Sequence, residues 1–230
     1  DPRAQGSTDG ERSIENSVFY TRLGQRIIHI LDARTAMGQL YQIDMRLRPS
    51  GESGLLVTSL AAYREYQLSS AWTWEHQALV RARTITGDAQ LAEQFSALRH
   101  EVLSKPRDER ELVGEVVGMR EKMRDHLLPA GALEQGDFDL KQERGGIVDI
   151  EFMVQFCVLA WSQRVGALTR WTDNVRILET LSQEGLLTEA DARTLTEAYL
   201  TFRSASHRLA LQQNSGVAAV QDFVLEREAV

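Results

Sequence analysis

The sequence predicts an α+β chain that is predominantly helical, and three observations carry that prediction. Residues 41–47 alternate strictly: Tyr41, Ile43, Met45 and Leu47 point one way, and Gln42, Asp44 and Arg46 the other, continued by Arg48. From residue 60 onward apolar positions recur at three- and four-residue intervals almost throughout. Residues 147–161 are apolar nearly all round, as in a central helix buried by its neighbours.

Along the chain, a polar Gly/Ser/Asp loop precedes a helix over about 11–35, with Phe19, Leu23, Ile27 and Ile30 on one face and Gly38 ending it. The half-buried strand of 41–47 follows. Pro49 cannot donate to a ladder and residues 50–54 are turn chemistry, so the apolar run 55–58 is expected to return as the second strand of a hairpin. Helices are then expected over about 60–69, 72–83, 89–103 and 109–128, the last with Leu112, Val116, Met119 and Met123 in register. Past Pro129, a Gly-containing loop leads to Phe138-Asp139-Leu140-Lys141, and Gly145-Gly146 opens the apolar helix. Residues 172–183 and 188–213 complete the set, the latter starting with a Thr-x-x-Asp cap and carrying Leu195, Tyr199, Phe202 and Leu209 on one stripe. The C-terminal half reads as a helical bundle.

With 230 residues, 43% of them hydrophobic, the chain is long enough to bury roughly 70% of its unfolded surface. The lone cysteine, Cys157, sits in an apolar run and reads as a buried structural thiol in a reducing compartment. No run approaches the ~20 apolar residues of a membrane span, and no signal pattern opens the chain, so a soluble cytoplasmic protein with no membrane partner is expected. A net charge of -7 repels polyanions and disfavours nucleic acid. Asp1 in place of an initiator methionine, inside a loop-like stretch, suggests a piece of a longer protein.

The most informative segment is Asp44-Met45-Arg46-Leu47-Arg48. A period-two strand puts one carboxylate and two guanidiniums on a single face beside a Gly/Ser turn that includes Ser53. Carboxylate oxygen suits a hard cation, and arginine forks and turn amides suit phosphate, so the pattern fits a metal-nucleotide. The alternative is a charged outer sheet face with Asp44 paired to a neighbouring arginine. Lys141 beside Gly145-Gly146 is a second candidate phosphate contact, through free amides at the next helix N-terminus. Glu75, Arg81 and Arg83 are candidates for substrate contact, or simply exposed helix charges. Asp149 and Glu151, two apart, cannot face one site; Asp149 suits the first helical turn, and Glu151 with Gln155 forms a polar strip that must find partners. Trp72 and Trp74 read as core anchors. His76 has no metal-ligand residue at helical spacing, so no zinc site is read there.

Three ordered runs, D-M-R-L-R-P-S-G-E-S-G-L-L-V-T-S, A-W-T-W-E-H-Q-A-L-V-R-A-R and F-D-L-K-Q-E-R-G-G-I-V-D-I-E-F, with R-W-T-D-N-V-R-I-L-E further on, closely resemble signatures of glutamine synthetase adenylyltransferases. The resemblance covers nearly the whole chain. It implies a bifunctional parent with two nucleotidyltransferase domains, and W-T-W-E-H-Q resembles the C-terminal, AMP-adding half rather than the AMP-removing half, where D-W-E-R-Y is expected. On this footing residues 1–88 would be the C-terminal part of a nucleotidyltransferase domain, its sheet reduced to the hairpin, and 89–230 a helical bundle domain.

The resemblance also implies a Gly-Ser turn and an Asp-x-Asp pair supplying two metal carboxylates, with Asp44 matching the third. The first two are expected upstream of Asp1. Gly6-Ser7-Thr8-Asp9-Gly10-Glu11 is a poor substitute, because Gly10 interrupts the acids and no apolar flanks hold a buried strand. Asp44 would then be a catalytic metal ligand for magnesium and ATP, with Arg46, Arg48, Ser53 and Lys141 as candidate nucleotide contacts, and this piece alone would bind magnesium-ATP weakly and transfer nothing. Implied partners are glutamine synthetase, a P-II type signal protein and glutamine as effector. Two alternatives stand: a regulatory or docking helical module for glutamine synthetase or the signal protein, and a uridylyl- or polynucleotide-type nucleotidyltransferase.

Overall fold

The computed structural model describes residues 5–39, 43–129 and 131–230. Its helices are α1 (Asn16–Leu31), α2 (Leu60–Ser69), α3 (Thr73–Val80), α4 (Ala89–Leu103), α5 (Glu109–Leu127), α6 (Ile147–Trp161), α7 (Asn174–Gln183), α8 (Glu189–Leu211) and α9 (Val224–Ala229). Among the described residues two small antiparallel sheets join them: β1 (Arg34–Thr35) with β2 (Gly38–Gln39), and β3 (Asp137–Asp139) with β4 (Val217–Ala219). The architecture is thus α+β and mostly α. Two compact units emerge, Asp1–Glu75 with Thr84–Leu98, and His76–Arg83 with Arg99–Val230.

In the first unit, α1 is shorter than expected, and its stripe Phe19, Leu23, Ile27 and Ile30 is 42–60% exposed, so no residue of α1 is buried. Among the described residues, the hairpin expected from 41–47 and 55–58 does not form. Residues 40–42 lie outside the described residues; 43–45 and 55–58 are irregular, and Arg46 and Leu47 lie in a turn. Local bonds compete successfully with a ladder. The Arg46 amide donates to Asp44 Oδ1 at 2.9 Å, and the Arg48 guanidinium donates to the carbonyls of Met45 at 2.7 Å and Gly54 at 3.2 Å. Two isolated strands are also only marginally stable in water. The hairpin that does form is the shorter one, with Arg34 opposite Gln39.

The second unit is a helical bundle around α6. Ile150, Val154, Val158 and Leu159 of α6 are at most 1% exposed, as its all-round apolarity predicts. Asp173 and Thr188 cap α7 and α8, their side chains accepting from Arg176 N and Asp191 N, so the Thr-x-x-Asp pattern works as a cap. β3 and β4 bring Phe138 against Phe202 and Phe223, with centroids 5.7 and 6.2 Å apart. Cys157 is buried, and burial pushes its thiol up to about 12.

Arg99, 6% exposed, is bonded to four carbonyls. Its Nε donates to Leu79 O at 3.0 Å, Nη2 to Val80 O and to Trp171 O at 3.1 Å, and Nη1 to Thr169 O. Capture of the Leu79 and Val80 carbonyls coincides with the end of α3, which stops at Val80 rather than 83. Burial pulls the Arg99 pKa down to about 10, so the side chain is still charged at neutral pH.

Two outcomes follow from this packing. Arg99→Ala strips a buried cation from several carbonyls and leaves a void, so chemical denaturation is expected to show a loss of about 3–5 kcal/mol; a loss under ~1 kcal/mol would show the carbonyls to be rehydrated at little cost. A disulfide-exchange reagent at pH 8 is expected to label native Cys157 only as fast as the chain opens, with full reactivity restored in denaturant.

Candidate functional site

The candidate site begins where the strand was expected. Asp44 and Arg46 are exposed and form a bidentate pair: Oδ2 accepts from Nη2 at 2.6 Å, and Nε lies 3.0 and 3.1 Å from the two carboxylate oxygens. Hydrogen bonds from the Arg46 side chain and then its backbone amide, with a smaller charge effect, hold the Asp44 carboxyl down at about 2 against an ordinary 3.8. Asp44 is therefore ionised at any working pH.

Asp44, Arg46 and Arg48 were expected on one face. Asp44 and Arg46 do meet, but Arg48 turns to the backbone carbonyls and braces the following turn. In that turn the Ser53 hydroxyl donates to Ser50 O at 2.8 Å and Gly51 N to Arg48 O at 2.8 Å. A Cβ on Gly54 would lie 1.8 Å from Pro49 O, so only glycine closes it. Ser50 itself sits at φ 59°, a left-handed conformation unusual for a non-glycine residue. Its amide donates to the Tyr66 hydroxyl at 3.0 Å, and that hydroxyl donates to Glu75 at 2.8 Å. Glu75 is 5% exposed and also accepts from Trp72 N at 2.9 Å. Burial, and secondarily the Glu75 charge, pushes the Tyr63 phenol up to about 12.

Trp72, expected as a core anchor, is 70% exposed: its backbone, rather than its ring, is held, through Glu75. Trp74 is half-buried and Arg83 exposed. His76 is buried with Nδ1 3.3 Å from Arg107 Nη2. In the second unit Arg81 Nη1 donates to Glu151 Oε1 at 3.1 Å, and Gln77 Nε2 to Gln155 Oε1 at 3.0 Å, which supplies the partners the α6 strip requires. Asp149 accepts from Gly145 N at 2.7 Å and from the buried Arg120.

Lys141 is exposed, yet the amides expected to face a phosphate beside it are engaged. Gly145 N goes to Asp149, Gly146 N to Glu143 O, Ile147 N to Leu140 O and Val148 N to Lys141 O. The two glycines serve packing instead, since a Cβ would lie 2.8 Å from Arg227 O at Gly145 and 2.9 Å from Leu140 O at Gly146. Among the described residues no cluster of three or more His, Cys, Asp or Glu side chains could hold a metal. Asp44 fits a metal as one carboxylate ligand, not as a complete set. Tyr66 was missed in the sequence, although a lone Glu75 within an aromatic and apolar run called for a buried partner.

Residues 1–98 match the family model of glutamate-ammonia ligase adenylyltransferase, and residues 117–217 that of GlnD PII-uridylyltransferase. A bifunctional glutamine synthetase adenylyltransferase/adenylyl-removing enzyme of Pseudomonas putida is 54% identical over 239 aligned residues, which cover 100% of this chain and 24% of the relative. Proteins of the same description from Pseudomonas syringae pv. tomato and Pseudomonas aeruginosa are 54% and 53% identical, covering 98% and 100% of the chain and 24% of each relative. The chain therefore spans about a quarter of the length of the curated relatives it matches.

The Asp44 pairing makes a direct prediction. Carboxyl NMR is expected to show Asp44 titrating near pH 2, and Arg46→Ala to move it up toward 3.8. Because the folded pKa is depressed, whatever the pair adds to stability is present above the ordinary value and fades as pH falls from about 4 through 2. A midpoint unchanged by the substitution would mean that Arg46 is not the cause.

Proposed function

We propose, for a chain that belongs to the glutamine synthetase adenylyltransferase family, that the protein containing it transfers AMP from ATP to a tyrosine hydroxyl of glutamine synthetase. The observation that carries this reading is Asp44: an exposed carboxylate held ionised, at the head of a turn closed by Arg48 and Gly54, inside the D-M-R-L-R-P-S-G motif.

In this reading Asp44 holds magnesium together with carboxylates from elsewhere in the protein. The metal would neutralise phosphate charge and template ATP for in-line attack on the α-phosphorus, with pyrophosphate leaving. If the carboxylate took a metal, Arg46 would turn from Asp44 to phosphate oxygens, whereas Arg48 and Ser53 keep the turn in shape. Lys141 contributes an exposed ammonium as a further candidate phosphate contact. The parent would work in the cytoplasm, answering to glutamine and a P-II type signal protein. Among the described residues no helix is long and apolar enough to cross a membrane.

A docking role for the helical bundle is the second reading, favoured by the match of residues 117–217 to the uridylyltransferase model. Transfer of labelled AMP from magnesium-ATP to glutamine synthetase separates the two. Asp44→Asn in the full-length enzyme is expected to cut turnover by at least about 100-fold, given several kcal/mol of metal-borne charge stabilisation. Binding to glutamine synthetase should persist, and the 230-residue chain alone should transfer nothing. Undiminished turnover in the Asn variant would remove Asp44 from the metal site.

A further inference from the structure

We infer that Tyr66 and Glu75 act as a positioning pair for nucleotide binding, holding the turn after Asp44 in shape through the Ser50 amide. The inference rests on the reading of Asp44 and its turn as a metal-nucleotide site.

Ser50 adopts a left-handed backbone at φ 59° and ψ 19°, a conformation disfavoured for a side chain with a Cβ that persists only where surroundings impose it. Its carbonyl is held locally, by the Ser53 hydroxyl at 2.8 Å, but its amide is held from a distance. The amide reaches the Tyr66 hydroxyl, sixteen residues on along the chain, at 3.0 Å. Tyr66 stands on α2, and its own proton goes to Glu75, whose carboxylate oxygens lie 2.8 and 3.0 Å away. Glu75 is buried and fixed in turn by the Trp72 amide at 2.9 Å, so α3 supports α2 and α2 supports the turn. A hydroxyl whose hydrogen is committed to a carboxylate presents only lone pairs to Ser50, which sets the direction of the contact. The same turn receives Arg48 at Gly54 O, so two anchors, one local and one remote, define where its amides and the Asp44 backbone stand. Glu75 is too enclosed to meet substrate directly; its effect is carried by Tyr66.

The chemistry separates this role from mere stabilisation. Loss of the tyrosine hydroxyl leaves the ring and its packing in place and frees only the turn, so the deficit should fall on ATP affinity. Loss of folded protein would instead lower turnover and leave the KM alone.

The test uses the full-length enzyme carrying Tyr66→Phe, Glu75→Gln or Asp44→Asn. Tyr66→Phe is expected to raise the KM for magnesium-ATP about five- to tenfold with kcat changed less than twofold, the magnitude of one hydrogen bond lost. Hydrogen–deuterium exchange of peptides spanning residues 48–54 should quicken about tenfold without nucleotide present. Glu75→Gln, which keeps one acceptor for the tyrosine, should fall between wild type and Tyr66→Phe. An unchanged KM or unchanged exchange in Tyr66→Phe, with Asp44→Asn inactive, overturns the positioning role alone. Full turnover in Asp44→Asn removes the underlying site and this inference with it. Should Tyr66→Phe fail to fold, Glu75→Gln decides by the same two readouts, and a fall in kcat at constant KM there counts against the proposal.

Discussion

A single guanidinium organises the second unit. Arg99 leaves an otherwise ordinary helix face and meets the carbonyls of Leu79, Val80, Thr169 and Trp171, so one planar fork ties the C-terminal end of α3 to the turn after Gly166–Thr169. Isolated in an apolar interior such a charge would be prohibitive; surrounded by carbonyl oxygens it is matched by dipoles it can saturate. The carbonyls benefit equally, since a helix end and a tight turn both leave acceptors unfilled. The same neighbourhood places Gln77 against Gln155 and Arg81 against Glu151.

Such pairings account for the polar positions of α6. A helix buried on nearly all sides can carry Asp149, Glu151 and Gln155 only if each meets its own donor, and the three are met separately by Arg120, Arg81 and Gln77. Two-residue spacing sends Asp149 and Glu151 to different neighbours, so the pair staples α6 to two elements rather than forming a site. Asp149 also takes the Gly145 amide, which is why the Gly-Gly turn beside it behaves as packing hardware and not as a phosphate cradle.

What the sequence disclosed tracks the range of the forces involved. Helix periodicity is a local property of the chain, and the apolar run of α6, the Thr188 cap and the burial of Cys157 were all legible from it. The residues 43–47 illustrate the limit. Alternation says which side chains would share a face in a strand, yet a strand also needs a ladder partner, and Asp44 and Arg48 instead spend nearby backbone groups on a turn. Arg99 and Tyr66 were invisible for the complementary reason: each acts through partners from nine to about seventy residues distant, and single-residue patterns do not encode such pairings. A charged side chain beside Leu98, Val102 and Leu103, and a carboxylate amid Trp72, Trp74 and Leu79, were the only hints.

If Asp44 is the metal ligand proposed above, its closed pair with Arg46 bears on how that site would rest between turnovers. An exposed carboxylate awaiting a divalent ion beside other carboxylates experiences mutual repulsion, which favours protonation and so weakens the ligand. A neighbouring guanidinium that holds both oxygens counters that tendency and keeps the carboxylate ionised and oriented. The pair lies exposed to water, so it is weakly held in energy and readily exchanged. On the proposed reading, a metal-bound nucleotide would bring a cation for Asp44 and anionic oxygens for Arg46 at once, so that one arriving ligand would satisfy both partners.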